Sequence, residues 1–121
     1  MERTSLTFER LVFEQKSQRT SPGTIGADDV HVYGFLLDSG AGECLSASRL
    51  LSDEEQARAD RLVSKPHRDQ FVVAHAGLRV ILSRYCTGRP HDLAIQKTAK
   101  GKPFLSDYPS IRFNLTHSHG N

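Results

Sequence analysis

The segment from Phe71 to Tyr85 constrains the fold more than any other part of this sequence, because its apolar residues recur at steps of three and four. On an α-helix that spacing collects them on one face, which has to be buried against other elements. Gly88 and Pro90 follow and predict the end of the helix. The apolar face comprises Phe71, Ala74, Leu78, Ile81, Leu82 and Tyr85.

A shorter helix and three strands are predicted around this helix. Ser52 followed by Glu55 is the residue pair of a capping box, which predicts a helix that runs to about Val63 and ends before Pro66. The order of elements predicts an α+β fold, in which a small sheet carries the helices on one face. The predicted elements are a strand at 30–37, helices at 52–63 and 71–85, and strands at 93–97 and 111–118.

One domain accounts for most of the chain. A length of 121 residues is ordinary for one domain, and a hydrophobic content of 37% without any Trp supports only a modest core. Residues 1–28 are polar and rich in Ser, Thr and Gln, so they are predicted to form a loosely ordered N-terminal extension. The domain is therefore placed at residues 29–121.

The composition disfavours membrane-spanning and disulfide-stabilised proteins. No run of 18 apolar residues is present, and Glu2 and Arg3 interrupt any signal peptide. Two cysteines, Cys44 and Cys86, are too few for a disulfide scaffold or a four-cysteine zinc site. We expect a reduced, cytoplasmic protein without a membrane partner.

Charge is distributed unevenly along the chain. Residues 1–55 hold five Lys and Arg against ten Asp and Glu, whereas residues 56–121 hold eleven against four. Such a basic segment attracts phosphates, nucleic acid or an acidic protein. Nucleic acid is disfavoured as a partner, because no helix-turn-helix or RNA-binding signature accompanies the charge. A solvated surface and a non-catalytic module that binds an acidic partner or nucleic acid stay open as alternatives.

Two basic features suit phosphate groups. The turn Lys100-Gly101-Lys102-Pro103 puts two ammonium groups beside a glycine, at which a ligand can approach the backbone. Four further cations recur at three- and four-residue steps and would form a basic stripe on one helix. A solvated turn and a solvated face are the ordinary explanations for these features. The stripe consists of Arg58, Arg61, Lys65 and Arg68.

The segment 113–119 predicts a strand whose apolar side becomes polar at its end. His117 and His119 fall on one side, but no third ligand follows at metal-site spacing, so no metal site is predicted. A nucleophilic Ser118 with His117 as its base is disfavoured, because adjacent residues of a strand point apart. Two other histidines lie in apolar patterns and are predicted to be partly buried structural residues: His31 and His75.

Five short motifs follow one another from about Asp29 to Asn121. They are the strand Val30-His31-Val32-Tyr33, then Leu51-Ser52-Asp53-Glu54-Glu55, then Arg68-Asp69-Gln70-Phe71 with Leu78-Arg79, then Gly101-Lys102-Pro103, and finally Phe113-Asn114-Leu115-Thr116-His117-Ser118. In this order they resemble the N-terminal half of the 4′-phosphopantetheinyl transferases of the larger, surfactin-synthetase-activating (Sfp) type. The matching family patterns are L-S-x-[DE]-E, R-x-x-F with L-R, G-K-P and F-N-[LI]-[ST]-H-[ST].

The resemblance implies an activity, a fold and a set of binding residues. Enzymes of this family, which includes holo-acyl-carrier-protein synthases, use Mg²⁺ to transfer 4′-phosphopantetheine from coenzyme A to a serine of an apo acyl or peptidyl carrier protein. Their two similar α+β halves are related by a pseudo-twofold axis, with coenzyme A between them. By this resemblance Lys102 and His117 bind coenzyme A phosphates, Thr116 supports the pyrophosphate, and Arg58 contacts the 3′-phosphate.

Three departures from the family pattern accompany the resemblance. Thr116 replaces a commoner Ser, and His119 stands where Gly is common. The family's metal-binding acids, in G-[IV]-D-[IV]-E, and its W-[ST]-x-K-E segment are implied to follow Asn121, and no acid follows Asp107 in this sequence. We therefore expect a truncated half that binds coenzyme A, has no catalytic or metal residue of its own, and is inactive alone. We also expect a weak homodimer or a C-terminal half as its partner.

Overall fold

The computed structural model describes residues 3–8, 29–35, 37 and 41–115. These residues form an α+β fold of three helices and four short strands, which confirms the predicted class. The elements are β1 (Arg3–Phe8), β2 (Asp29–Gly34), α1 (Ala41–Ser48), α2 (Asp53–Asp60), α3 (Lys65–Ser83), a 3₁₀ turn (Pro90–Asp92), β3 (Ile95–Lys97) and β4 (Pro103–Leu105).

The four strands form two separate two-stranded sheets instead of a single small sheet. β1 and β2 pair in parallel, and β3 and β4 form an antiparallel hairpin. β1 lies inside residues 1–28, for which the sequence predicts a loosely ordered extension. The domain boundary at residue 29 stays a prediction.

The capping box predicted at the start of α2 is present. The Glu55 backbone N–H donates to Ser52 Oγ at 3.1 Å, and the Ser52 backbone N–H donates to Glu55 Oε1 at 2.9 Å. Asp53 and Glu54 add negative charge to the first turn, where the helix dipole favours it. The helix ends at Asp60, a little before the predicted Val63.

α3 begins earlier than predicted, because Pro66 starts this helix instead of only ending the one before it. Ser64 is the N-cap, and Pro66 occupies the first turn, where a missing N–H costs nothing. The predicted basic stripe is therefore wrong as a single helical face. Arg58 lies on α2 and Arg61 at its C-terminal cap, whereas Lys65 and Arg68 belong to α3.

Two hydrophobic cores flank α3. We call the first the helical core; it packs α1, the segment after it and α2 against α3. The second, the hairpin core, packs the end of α3 against β3, β4 and the segment after them. α1 was not predicted from the sequence. In the structure its Ala47 is fully buried in the helical core. The helical core comprises Ala47, Leu50, Leu51, Ala59, Val72 and Ala76, and the hairpin core comprises Leu82, Cys86, Leu93 and Leu105.

The predicted strand at 111–118 is wrong over its described part, residues 111–115, which form no ladder. The predicted alternation is nevertheless present, because Ile111 and Phe113 pack against the hairpin core while Arg112 and Asn114 are exposed. Burial of alternate side chains produced the sequence pattern here without strand pairing. Residues 116–118 lie outside the described residues.

Arg79 connects α3 to its neighbours on both sides. Its side chain is only 1% exposed, and its Nε–H donates to Glu55 Oε1 at 2.7 Å. Its Nη1 donates to the carbonyl oxygens of Pro90 at 2.9 Å, His91 at 3.3 Å and Leu93 at 3.0 Å. A buried charge is tolerated where it is paired and hydrogen-bonded, and Arg79 has one carboxylate and three carbonyl partners.

None of the helices within the described ranges has the length and apolar character that crossing a bilayer requires.

The two helix N-caps allow a matched stability test. Ser52→Ala should lower the free energy of unfolding by about 1 kcal/mol, because it removes the side-chain acceptor of the capping box. Ser64→Ala should change it by much less, because the Ser64 side chain makes no capping hydrogen bond. Urea denaturation of both variants measures the difference, and equal losses would contradict this assignment of the two caps.

Candidate functional site

An aromatic stack of two half-buried side chains on α3 forms the centre of the candidate site. Phe71 and His75 lie one helical turn apart, and their ring centroids are 4.0 Å apart at an angle of 26°. The His75 Nδ1–H donates to the Phe71 carbonyl oxygen at 2.9 Å, which fixes the orientation of the imidazole. The pair offers a rigid aromatic surface at the start of the helix.

Arg58 reaches this stack from α2. Its guanidinium carbon lies 5.7 Å from the centroid of the Phe71 ring, within cation–π range. Arg58 is exposed, and no carboxylate among the described residues forms an ion pair with it. Its guanidinium is therefore oriented by the ring and has N–H donors available for an anion.

A lysine of the hairpin also affects the electrostatics of His75. Burial lowers the pKa of His75; the hydrogen bond to the Phe71 carbonyl opposes that shift, as does the charge of Glu55, while the positive charges of Arg58 and Lys97 lower the pKa further. The charges of both cations therefore act on one imidazole, although the two residues belong to different elements, Arg58 to α2 and Lys97 to the end of β3.

The turn after Lys97 carries the predicted phosphate-binding lysines. It is closed by a hydrogen bond from Thr98 N–H to the Lys102 carbonyl oxygen at 2.8 Å, and Lys102 N–H donates to Thr98 Oγ1 at 3.1 Å. Gly101 has a φ of +85°, so this turn needs glycine for its backbone conformation. Lys100 and Lys102 are exposed.

Two of the four predicted binding residues are placed by the structure. Arg58 lies on α2 and Lys102 in the turn of the hairpin, and no direct hydrogen bond joins these two described residues. Thr116 and His117 lie outside the described residues. In the described ranges, no group of three or more His, Cys, Asp and Glu is arranged to hold a metal ion.

Two cations of the predicted stripe have structural contacts instead. The Arg68 guanidinium donates to the Leu62 carbonyl oxygen at 3.2 Å and closes the α2–α3 connection. Lys65 Nζ lies 2.7 Å from Asp69 Oδ2. Arg58 therefore differs from Lys65 and Arg68 in two respects: it lies on α2, and its guanidinium contacts an aromatic ring.

Sequence reasoning missed Phe71, Lys97 and the role of His75 as parts of one surface. The only local signal was the four-residue spacing of Phe71 and His75. His75 is half-buried, as predicted. His31 is also half-buried, and its Nδ1 is 2.5 Å from the Tyr85 hydroxyl, in agreement with a structural role.

Burial raises the pKa of the Tyr85 phenol, and the hydrogen bond to Tyr33 adds to the effect. A phenol that stays neutral suits a structural hydrogen bond at the end of α3 better than acid–base chemistry. The cluster of His31, Tyr33 and Tyr85 is therefore assigned to β2 packing.

A small cleft of about 250 Å³ lies beside the hairpin core. Two carboxylates, Asp92 and Asp107, line it together with the hydroxyl groups of Thr87 and Tyr108. Negative charge disfavours a phosphate there. The surface around Arg58 and His75 is therefore the better candidate for an anion.

Residues 39–121 match the family described as "4′-phosphopantetheinyl transferase, N-terminal". The chain belongs to the 4′-phosphopantetheinyl transferase family. The match includes Arg58, the aromatic stack and the Lys102 turn, as well as residues 116–121 beyond the described part. It confirms the family predicted from the motifs and leaves the Sfp type as a prediction.

Two curated relatives agree with this membership. The chain is 33% identical over 98 residues to the 4′-phosphopantetheinyl transferase HetI of Nostoc sp. (strain PCC 7120), covering 78% of this chain and 41% of HetI. It is 35% identical over 71 residues to the putative 4′-phosphopantetheinyl transferase slr0495 of Synechocystis sp. (strain PCC 6803), covering 57% of this chain and 29% of that protein. The chain thus spans less than half the length of either relative. No solved structure matches it significantly.

The position of His75 predicts a pH dependence of stability. Because its pKa in the folded chain lies below the ordinary value of 6.5, the unfolded chain binds a proton more readily. The stabilisation by neutral His75 is therefore present above pH 6.5 and is lost as the pH falls towards its lower, folded-state pKa.

Urea denaturation between pH 5 and 7 measures this effect. We expect the free energy of unfolding to rise with pH in the parent chain and to rise less in His75→Gln. His67→Gln is the matched control, since His67 is exposed on the same helix. An identical pH profile for His75→Gln and the parent would contradict the prediction.

Proposed function

We propose that this chain supplies the coenzyme A phosphate contacts of a 4′-phosphopantetheinyl transferase of the larger Sfp type. The reaction moves 4′-phosphopantetheine from coenzyme A to a serine of an apo acyl or peptidyl carrier protein. The observation that carries the proposal is the Arg58 guanidinium over the Phe71 ring, which forms no ion pair with a described residue and lies inside the segment that matches the family.

The chemistry of coenzyme A suits this surface. The molecule carries a 3′-phosphate and a pyrophosphate, so its binding requires several cations that reach one region from different directions. Arg58 comes from α2, while Lys97 and the Lys102 turn come from the hairpin. An arginine already oriented on an aromatic ring loses less conformational freedom when a phosphate binds.

Each predicted residue has a proposed role. Arg58 binds the 3′-phosphate, since guanidinium suits bidentate contact with a phosphate group. Lys102 and His117 bind coenzyme A phosphates, and the Thr116 hydroxyl supports the pyrophosphate. These assignments follow the family resemblance, and the exposure of Arg58 and Lys102 is compatible with them.

A magnesium site is not supported by the described residues. Mg²⁺ prefers carboxylate oxygens, and no suitable group of acids is found in the described ranges. The acid segment G-[IV]-D-[IV]-E that the resemblance implies does not occur in this sequence. We therefore derive no step through the metal, and the proposal concerns binding of coenzyme A.

The cellular location and the partners of this chain stay predictions. The predicted location is the cytoplasm, and the predicted partners are an apo carrier protein and either a second copy of the chain in a weak homodimer or a C-terminal half. On β2, Val30 and Val32 are 38% and 40% exposed, which supports a protein surface packing there.

Binding of coenzyme A tests the proposal directly. Isothermal titration should show binding that weakens as salt is added, because the contacts are ionic and exposed. Arg58→Ala and Lys102→Ala should each raise the dissociation constant about fivefold, which corresponds to about 1 kcal/mol, the upper value for an exposed ion pair. Matched controls are Arg89→Ala and Lys65→Ala, since both cations are already paired with carboxylates.

A second ligand assigns Arg58 to its phosphate. Coenzyme A lacking the 3′-phosphate should bind the parent chain more weakly, and Arg58→Ala should then cause no further loss. Equal losses in the two control variants, or binding of DNA without any response to coenzyme A, would contradict the proposal and favour a general basic surface.

A further inference from the structure

We infer that Arg79 is a positioning residue for the coenzyme A phosphates, because one buried guanidinium sets the spacing between the cations on α2 and those on the hairpin. The inference rests on the proposed function, since it assumes that Arg58 and Lys102 bind phosphates of one ligand. Arg79 itself is buried and does not reach the ligand surface.

On one side, Arg79 holds α2. Its Nε–H donates to Glu55 Oε1 at 2.7 Å, and the same oxygen accepts from the Ser52 backbone N–H at 2.9 Å. Arg58 follows Glu55 by one helical turn and lies over Phe71, near the start of α3. α2 therefore runs antiparallel to α3, and the contact between Glu55 and Arg79 sets its position along that helix.

On the other side, the same guanidinium holds the base of the hairpin. Its Nη1 donates to carbonyl oxygens of Pro90, His91 and Leu93, and β3 begins two residues after the last of these. β3 leads directly through Lys97 to the Lys102 turn. One side chain thus connects Glu55 on α2, 24 residues before Arg79, with carbonyl groups 11 to 14 residues after Arg79, just before the hairpin.

Stability alone does not account for an arginine at this position. An apolar residue of similar volume often replaces a buried ion pair without loss of stability, because desolvation of the charges offsets their attraction. An apolar side chain cannot hydrogen-bond a carboxylate and three carbonyl groups together. A lysine has one nitrogen, whereas the planar guanidinium donates in fixed directions to both sides.

The spacing matters for a ligand with more than one phosphate. Once one phosphate is bound, the second meets its cation at an effective concentration that depends on how well the two cations are spaced. A ligand with a single phosphate gains nothing from that spacing. Loss of the Arg79 bridge should therefore weaken coenzyme A much more than inorganic phosphate.

The test compares these two ligands by NMR titration of the full chain at a temperature well below unfolding. In Arg79→Lys we expect the dissociation constant of coenzyme A to rise about tenfold and that of inorganic phosphate to change less than about twofold.

Glu55→Gln retains a hydrogen-bond acceptor but removes the counter-charge, so it should weaken coenzyme A binding in the same direction by a smaller factor. This variant replaces Arg79→Lys if Arg79→Lys does not fold. Ser52→Ala is the matched control, since it weakens the capping box without removing the Arg79 contacts. Equal weakening of both ligands in Arg79→Lys, or a coenzyme A loss of the same size in Ser52→Ala, would overturn the inference.

A ligand-free measurement separates this inference from the proposed function. Spin labels attached at Arg61→Cys and Lys100→Cys, two exposed positions, report the distance between α2 and the hairpin turn. The background carries Cys44→Ala to prevent labelling there, and Cys86 is retained because it is buried. We expect one narrow distance distribution, which broadens when Arg79→Lys is added. If the width of the distance distribution is unchanged in Arg79→Lys, the positioning role is overturned even if coenzyme A binds. If the distribution broadens as expected but coenzyme A does not bind, the proposed function is overturned and the spacing role of Arg79 remains.

Discussion

The hydrogen bonds of the buried Arg79 guanidinium are the interactions on which the arrangement of the other elements depends. Glu55 on α2 and three carbonyl oxygens around the 3₁₀ turn share this one group. The helical core packs α1 and α2 on α3, and the hairpin core packs the hairpin near its other end. Each core packs its own elements together, while Arg79 hydrogen-bonds to both groups of elements, to α2 on one side and to the segment before the hairpin on the other. Removing it would leave buried acceptors without a donor on both sides.

The candidate site follows from this arrangement. It surrounds the half-buried Phe71 and His75 side chains of α3, and its candidate cations belong to α2 and to the hairpin. Arg58 lies over Phe71, and burial lowers the pKa of His75, with smaller contributions from the charges of Arg58 and Lys97. Such a surface suits a ligand that presents several phosphates, whereas the enclosed cleft beside the hairpin core carries carboxylates.

Sequence patterns were reliable where the interactions are local. The capping box of Ser52 and Glu55 joins residues three apart, so spacing alone predicted it. The apolar face of α3 was predicted only in part, because Val72, Val73 and Ala76 are buried outside the predicted face. Prediction failed where the same local pattern has two explanations. Pro66 was interpreted as the end of a helix and instead starts one, and the alternation at 111–115 reflects packing on the hairpin core without strand pairing. α1 and β4 were missed because short elements depend on tertiary contacts more than on propensity.

The sequence by itself determined the family, the α+β class, the start of α2 and the existence of the long helix α3. Each of these depends on residue types at short spacings, which a sequence displays directly. Only the tertiary structure decided that the basic stripe divides between two helices, that the Arg58 guanidinium lies over the Phe71 ring, and that Arg79 is buried. These outcomes depend on which distant elements pack together, since the free energy of burying a guanidinium is favourable only when partners from both sides reach it at once.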